Sequence, residues 1–131
     1  TAIAAAHFVF GGVLDAFPTL EICLPHAGGV LPILIGRWDQ GHRVRRECKH
    51  LPHPPSHYLR RFTYDTVSHS DAVMEYLVKL VGTERIMLGS DYCFDMGYER
   101  PVEMVERLAV LSDQQRGQIL GATAARLLRV A

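Results

Sequence analysis

Two short apolar runs, each ending in an ionisable side chain, constrain this chain more than any other feature. Leu20-Glu21-Ile22-Cys23-Leu24-Pro25 stops at His26-Ala27-Gly28-Gly29, and Arg85-Ile86-Met87-Leu88-Gly89-Ser90 stops at Asp91-Tyr92. Four to six apolar or β-prone residues, then a ligand-type side chain and a helical pattern, describe a βα unit whose C-terminal strand end carries chemistry. Phe62-Thr63-Tyr64-Asp65-Thr66-Val67 supplies a further strand between them. Continuous rather than alternating runs belong to parallel strands covered on both faces. The expected class is α/β, in the order α-βα-βα-βα-α, with parallel strands at about 20–25, 62–67 and 85–90. At 131 residues the chain is too short for a whole barrel of such units. It reads as the C-terminal half of one, a single partial domain over 1–131.

The helices follow from spacing and punctuation. Residues 1–16 carry a helical pattern weakened at Gly11-Gly12, by roughly 1 kcal/mol per Gly relative to Ala. Phe17-Pro18 ends it, because the residue before proline avoids the helical region. Gly28-Gly29 opens a helix to about Arg46, with Leu31, Leu34, Ile35 and Trp38 on its apolar stripe and Pro32 tolerated in its first turn. After the rigid Leu51-Pro52-His53-Pro54-Pro55 loop, Ser56 is expected to cap a short helix over 57–61. Ser70 or Asp71 caps a helix stopped by Gly82. Pro101 begins another, to about Leu111. Ser112-Asp113 caps a last one, which should bury Ile119, Leu120, Ala124, Leu127 and Leu128.

Composition removes several function classes. Lysines plus arginines equal the acidic residues at 14 each, so nothing resembles the positive footprint of a nucleic-acid binder. The basic run His42-Arg43-Val44-Arg45-Arg46 reads as a solvated helix face. No apolar stretch reaches the roughly 18 residues that span a bilayer. The Ala-rich opening lacks the basic region of a signal peptide, and the start at Thr1 reads as a cut within a longer chain. Cys23, Cys48 and Cys93 form neither an even framework nor a CxxC pair, which fits reduced thiols in the cytoplasm. Cys23 is expected in the core as a small hydrophobe.

Asp91 closes a buried strand, where an ionised carboxylate is costly unless paired or metal-bound; the alternative is a helix cap or a loop carboxylate bonded to backbone. His26 ends its own strand with two glycines behind it, and could instead be a core histidine bonded to a carbonyl. Together the two strengthen each other. A neutral imidazole can act as general base beside a metal, and a carboxylate can hold that metal. Asp65 reads as a satisfied internal carboxylate rather than an active-site one. His42, His50, His53, His57 and His69 fall on helix faces or loops, and the prolines around His50-x-x-His53 argue against a metal site there.

The segment from Phe10 to Leu128 resembles the amidohydrolase-related decarboxylases, the group typified by aminocarboxymuconate-semialdehyde decarboxylase. The likeness rests on Leu24-Pro25-His26-Ala27-Gly28-Gly29 with Pro32 and Gly36-Arg37-Trp38-Asp39, and on Met87-Leu88-Gly89-Ser90-Asp91-Tyr92. Pro54-Pro55-Ser56-His57-Tyr58-Leu59 and Phe62-Thr63-Tyr64-Asp65 fall between them in the expected order.

That resemblance implies a TIM (β/α)8 barrel with one divalent metal, usually zinc. It implies His26 as the catalytic acid/base and Asp91 as a metal ligand. It also implies that Arg37 reaches a neighbouring subunit's substrate carboxylate in a homodimer, and that Phe94 lines the pocket. A planar guanidinium suits a carboxylate because its fork bonds both oxygens. The family's other metal-binding histidines lie upstream of this segment, Cys93 stands where proline is common, and Thr123 replaces a frequent asparagine. The expected activity is zinc-dependent, non-oxidative decarboxylation of a small carboxylated substrate. Metal-dependent hydrolysis is the alternative. A segment inactive alone, acting as an assembly unit with a complementary N-terminal half of the barrel, is a third reading.

Overall fold

The structure, a computed structural model, describes residues 1–130; residue 131, the end of the expected 1–131 unit, lies outside the described residues. Three parallel strands, β1 (Ile22–Leu24), β2 (Phe62–Asp65) and β3 (Ile86–Met87), form one sheet in the order β1-β2-β3. Ile22 pairs with Phe62, and Tyr64 pairs with Leu24 on one side and Ile86 on the other. Parallel neighbours need a crossover, and helices supply it here. The chain passes from β1 to β2 through α3 (Leu31–Val44) and from β2 to β3 through α4 (Asp71–Val81), following α1 (Ala2–Phe10) and α2 (Val13–Ala16). After β3 come α5 (Pro101–Glu106), α6 (Asp113–Gly117) and α7 (Thr123–Leu128).

The register divides the sheet into two chemical faces, since side chains alternate along each strand. Leu24, Phe62, Tyr64 and Ile86 share the face covered by helices and are almost fully buried. The ring of Phe8 on α1 meets Phe62 edge-on at 6.4 Å. The other face carries Cys23, Thr63, Asp65 and Met87. Cys23 is exposed there, against the expectation of a core position. It points away from the helix layer, and its partner on β2 is the small polar Thr63. Its thiol is held above its ordinary range by desolvation; a hydrogen bond with Thr63 opposes this and the charge of Asp65 adds to it.

The strands are shorter than the apolar runs that announce them. The ladder stops once neighbours diverge: Arg85 belongs to a 3-10 turn, and Leu88 N–H leaves the sheet to donate to Ile119 O at 2.9 Å. Ile119 lies in a π-turn over Gln118–Ala122, between α6 and α7. The opening helix breaks at Gly11-Gly12 as expected. Ser70 caps α4 by accepting from Val73 N–H, and Ser112 caps α6 in a reciprocal capping box with Gln115. Ser56 caps nothing. It lies inside a 3-10 helix over Pro55–Arg61 and donates its N–H to Asp39 Oδ1 at 2.8 Å. α5 ends at Glu106 rather than near Leu111, and Leu128 is 69% exposed rather than buried. Thr123 is buried and donates to Thr83 O at 3.3 Å, tying α7 to the turn that precedes β3.

Candidate active site

Each strand ends in a loop that turns through a left-handed residue: His26 (φ 58°) after β1, His69 (φ 54°) after β2 and Asp91 (φ 59°) after β3. Histidine and aspartate are among the side chains that enter this region most readily. The first loop continues in it through Ala27, Gly28 and Gly29. Gly28 is required twice over. Its φ is +80°, and an added Cβ would lie 2.7 Å from Cε1 of the buried Tyr64 ring. The loop is further held by Gly28 N–H to Pro25 O at 3.1 Å and Gly29 N–H to His26 O at 2.7 Å.

These ends meet around an open cavity of about 510 Å³ lined by His26, Val67, His69, Asp91 and the segment Phe94-Asp95-Met96. His26 Nε2 stands 3.9 Å from Asp91 Oδ1, with the imidazole about half exposed and the carboxylate mostly covered. That separation exceeds a hydrogen bond and leaves room for a bridging atom. Among the described residues no donor bonds the Asp91 carboxylate. The loop after it closes on itself through Tyr98 N–H to Ser90 O at 2.8 Å, and so holds Phe94 beside the cavity. His69 stacks on Tyr98 (centroids 4.3 Å apart), and its N–H donates to the Tyr98 hydroxyl at 2.7 Å.

Of the four expected site residues, three, His26, Asp91 and Phe94, come together, and the fourth, Arg37, does not join them. It is exposed on α3 in a separate shallow depression with Gln40, Gly41, Val44 and Arg45. Asp65 is a satisfied carboxylate, accepting from Ala27 N–H at 2.8 Å and Val67 N–H at 3.0 Å. His69 is the residue that sequence reasoning passed over. The signal was present in its position just past a strand end, the same placement that singled out His26 and Asp91. Among the described residues no group of three or more His, Cys, Asp or Glu side chains is arranged to hold a metal ion. No helix among them is long and apolar enough to cross a membrane.

Comparison with known proteins identifies the family and the fold. The amidohydrolase family profile matches residues 1–130. The chain is 32% identical over 130 residues to a 2-amino-3-carboxymuconate-6-semialdehyde decarboxylase of Dictyostelium discoideum, covering 98% of this chain and 36% of that protein. Its backbone superposes on the crystal structure of a 5-carboxyvanillate decarboxylase from Sphingomonas paucimobilis with a TM-score of 0.85 and 28% identity, over 100% of this chain and 40% of that one. A dihydroxybenzoic acid decarboxylase from Polaromonas, solved with manganese and an inhibitor, shares the fold at a TM-score of 0.83 and 21% identity, over 98% of this chain and 39% of that one. The chain thus spans about a third of the length of the curated relatives it matches. It belongs to the amidohydrolase family, and its parallel α/β sheet is part of that family's barrel.

Proposed function

We propose that the protein containing this chain is a metal-dependent, non-oxidative decarboxylase of a small carboxylated substrate. The observation that carries the reading is the pairing of His26 and Asp91 across one cavity, in a chain whose relatives are decarboxylases. Asp91 suits a cation, since a largely covered carboxylate without protein donors is stabilised by a positive charge. It would be one ligand, and the remaining donors would come from outside these residues, because a tetrahedral site takes three or more from protein. The family resemblance favours zinc; the Polaromonas neighbour was solved with manganese. When bound, the ion supplies Lewis-acid polarisation of a substrate oxygen.

This chain's own residues carry the proton and the binding. The bond to the carboxylate carbon breaks, CO2 leaves, and the electron pair left on the substrate carbon takes up a proton. His26 Nε2, on the cavity wall, would deliver it. Phe94 offers an apolar wall to the substrate. Arg37, exposed and without an ion pair among the described residues, is free to engage a substrate carboxylate in a second subunit of a homodimer. The unpaired Cys23, Cys48 and Cys93 accord with a reducing, cytoplasmic setting.

His26→Ala in the full-length protein tests the assignment. Turnover of carboxylated substrates should fall by about 10²–10⁴-fold, the range typical of a lost acid/base group, with about one metal per chain retained. Loss of metal in that variant would make His26 a ligand. Two metals per chain in the unmodified protein, with hydrolysis of amides or esters, would place the reaction among the hydrolases instead.

A further inference from the structure

His26 and Asp91 belong to strands that do not touch. β1 pairs with β2, and β3 pairs with β2, so the separation of the two side chains is set through the middle strand. Two consecutive residues at the end of that strand reach in opposite directions. Asp65 Oδ1 accepts from Ala27 N–H at 2.8 Å, one residue past His26, while also accepting from Val67 N–H at 3.0 Å. Thr66, fully buried, donates its hydroxyl to Gly89 O at 3.2 Å and accepts from Gly89 N–H at 3.1 Å, two residues before Asp91. Both contacts begin where the backbone ladders have ended, at Leu24↔Tyr64 on one side and Asp65↔Met87 on the other. Gly89 also packs flush against Asp65: a Cβ there would lie 2.8 Å from Asp65 Cβ.

We infer that Asp65 and Thr66 form a brace that sets the distance between His26 and Asp91, each acting as a positioning residue through the backbone of one site loop. The inference rests on the functional reading above only for its catalytic consequence. The left-handed His26-Ala27 turn is costly for non-glycine residues and persists when its surroundings over-determine it, and the Ala27 N–H bond to a carboxylate is a charge-assisted constraint of that kind. Thr66 performs the same service for the approach to Asp91 with a hydroxyl that both donates and accepts.

The test is residue-resolved amide hydrogen exchange on the full-length protein, with metal content and steady-state kinetics measured on the same samples. Asp65→Ala should speed exchange of the Ala27 amide at least about tenfold while leaving Gly89 within about twofold, and Thr66→Val should do the reverse. Asp65→Asn and Thr66→Ser, which keep an acceptor oxygen and a hydroxyl, should restore most of the protection and remain informative if the harsher variants fail to fold. Asp65→Ala should lower kcat with little change in KM or bound metal, whereas Thr66→Val should lower bound metal as Asp91 loosens. Exchange that rises equally at both amides in both variants, or at neither, overturns the brace. The crossed exchange pattern in a protein with no decarboxylase activity would uphold the brace and overturn the functional reading. Decarboxylation that survives both variants together with uncrossed exchange would do the opposite.

Discussion

Gly28 shows how a single position serves fold and site together. Its positive φ lets the chain turn behind His26, and its missing side chain lets Tyr64 pack against the backbone. Gly28→Ala should therefore destabilise the protein by roughly 2–4 kcal/mol, from left-handed strain plus overpacking, read as a lower urea midpoint at unchanged slope. Tyr58 makes a prediction about pH. Burial, then the hydrogen bond to Asp15 (hydroxyl donor, 2.7 Å), pushes it up to about 12 from an ordinary value of 10.0. Between those values the unfolded chain has released a proton that the folded chain retains. Stability is then intact below about pH 10 and declines as pH rises toward 12. Tyr64, buried with its hydroxyl donating to Leu59 O at 2.9 Å, is raised as well and adds to the same decline. Tyr58→Phe should flatten the slope of unfolding free energy against pH in that window without abolishing it. An unchanged slope would remove Tyr58 from the account. The identities of His26 and Asp91 as site residues were legible from their places at strand ends. The role of Asp65 was legible only as a satisfied carboxylate, because the amide it holds lies 38 positions away in sequence.

At the scale of elements, caps were readable and ladders were not. Ser70 and Ser112 cap their helices through contacts three residues away, which local sequence encodes. Ser112→Ala should accordingly cost about 1 kcal/mol, seen as a lower thermal midpoint with the site geometry unaffected. Retention of full stability would mean that packing of Ile119 and Thr123 alone holds the last helices. Strand length depends on distant partners. The apolar run at 85–90 continues past β3, yet Leu88 bonds the π-turn carbonyl of Ile119 instead of the sheet. Likewise Ser56 has the composition of a cap, but Asp39 takes its N–H, a contact fixed by the packing of α3 beside the 3-10 helix.

At the scale of the molecule, the helix-covered face is closed, while the opposite face is covered at Thr63 and exposed at Cys23. β1 and β3 each have one unpaired edge among the described residues. Exposed strand edges invite pairing with further chain. The isolated 131-residue chain should therefore sediment as species above its 14.7 kDa monomer mass. A complementary barrel portion should convert it to a 1:1 assembly that takes up metal. A monodisperse monomer that binds metal alone would contradict that expectation. The exposure of Cys23 at the edge strand has the same origin: an apolar neighbourhood in sequence says that a strand is buried, not which face of it is covered.

The sequence by itself determined the α/β order, the parallel sense of the strands and the two ionisable strand ends, because periodicity, punctuation and capping act over a few residues. The tertiary structure alone decided that His69 joins the cavity, that Arg37 stands apart from it, and that Asp65 and Thr66 span the two site loops. Those facts depend on which strands become neighbours and in what register, and register is settled by packing across the whole sheet.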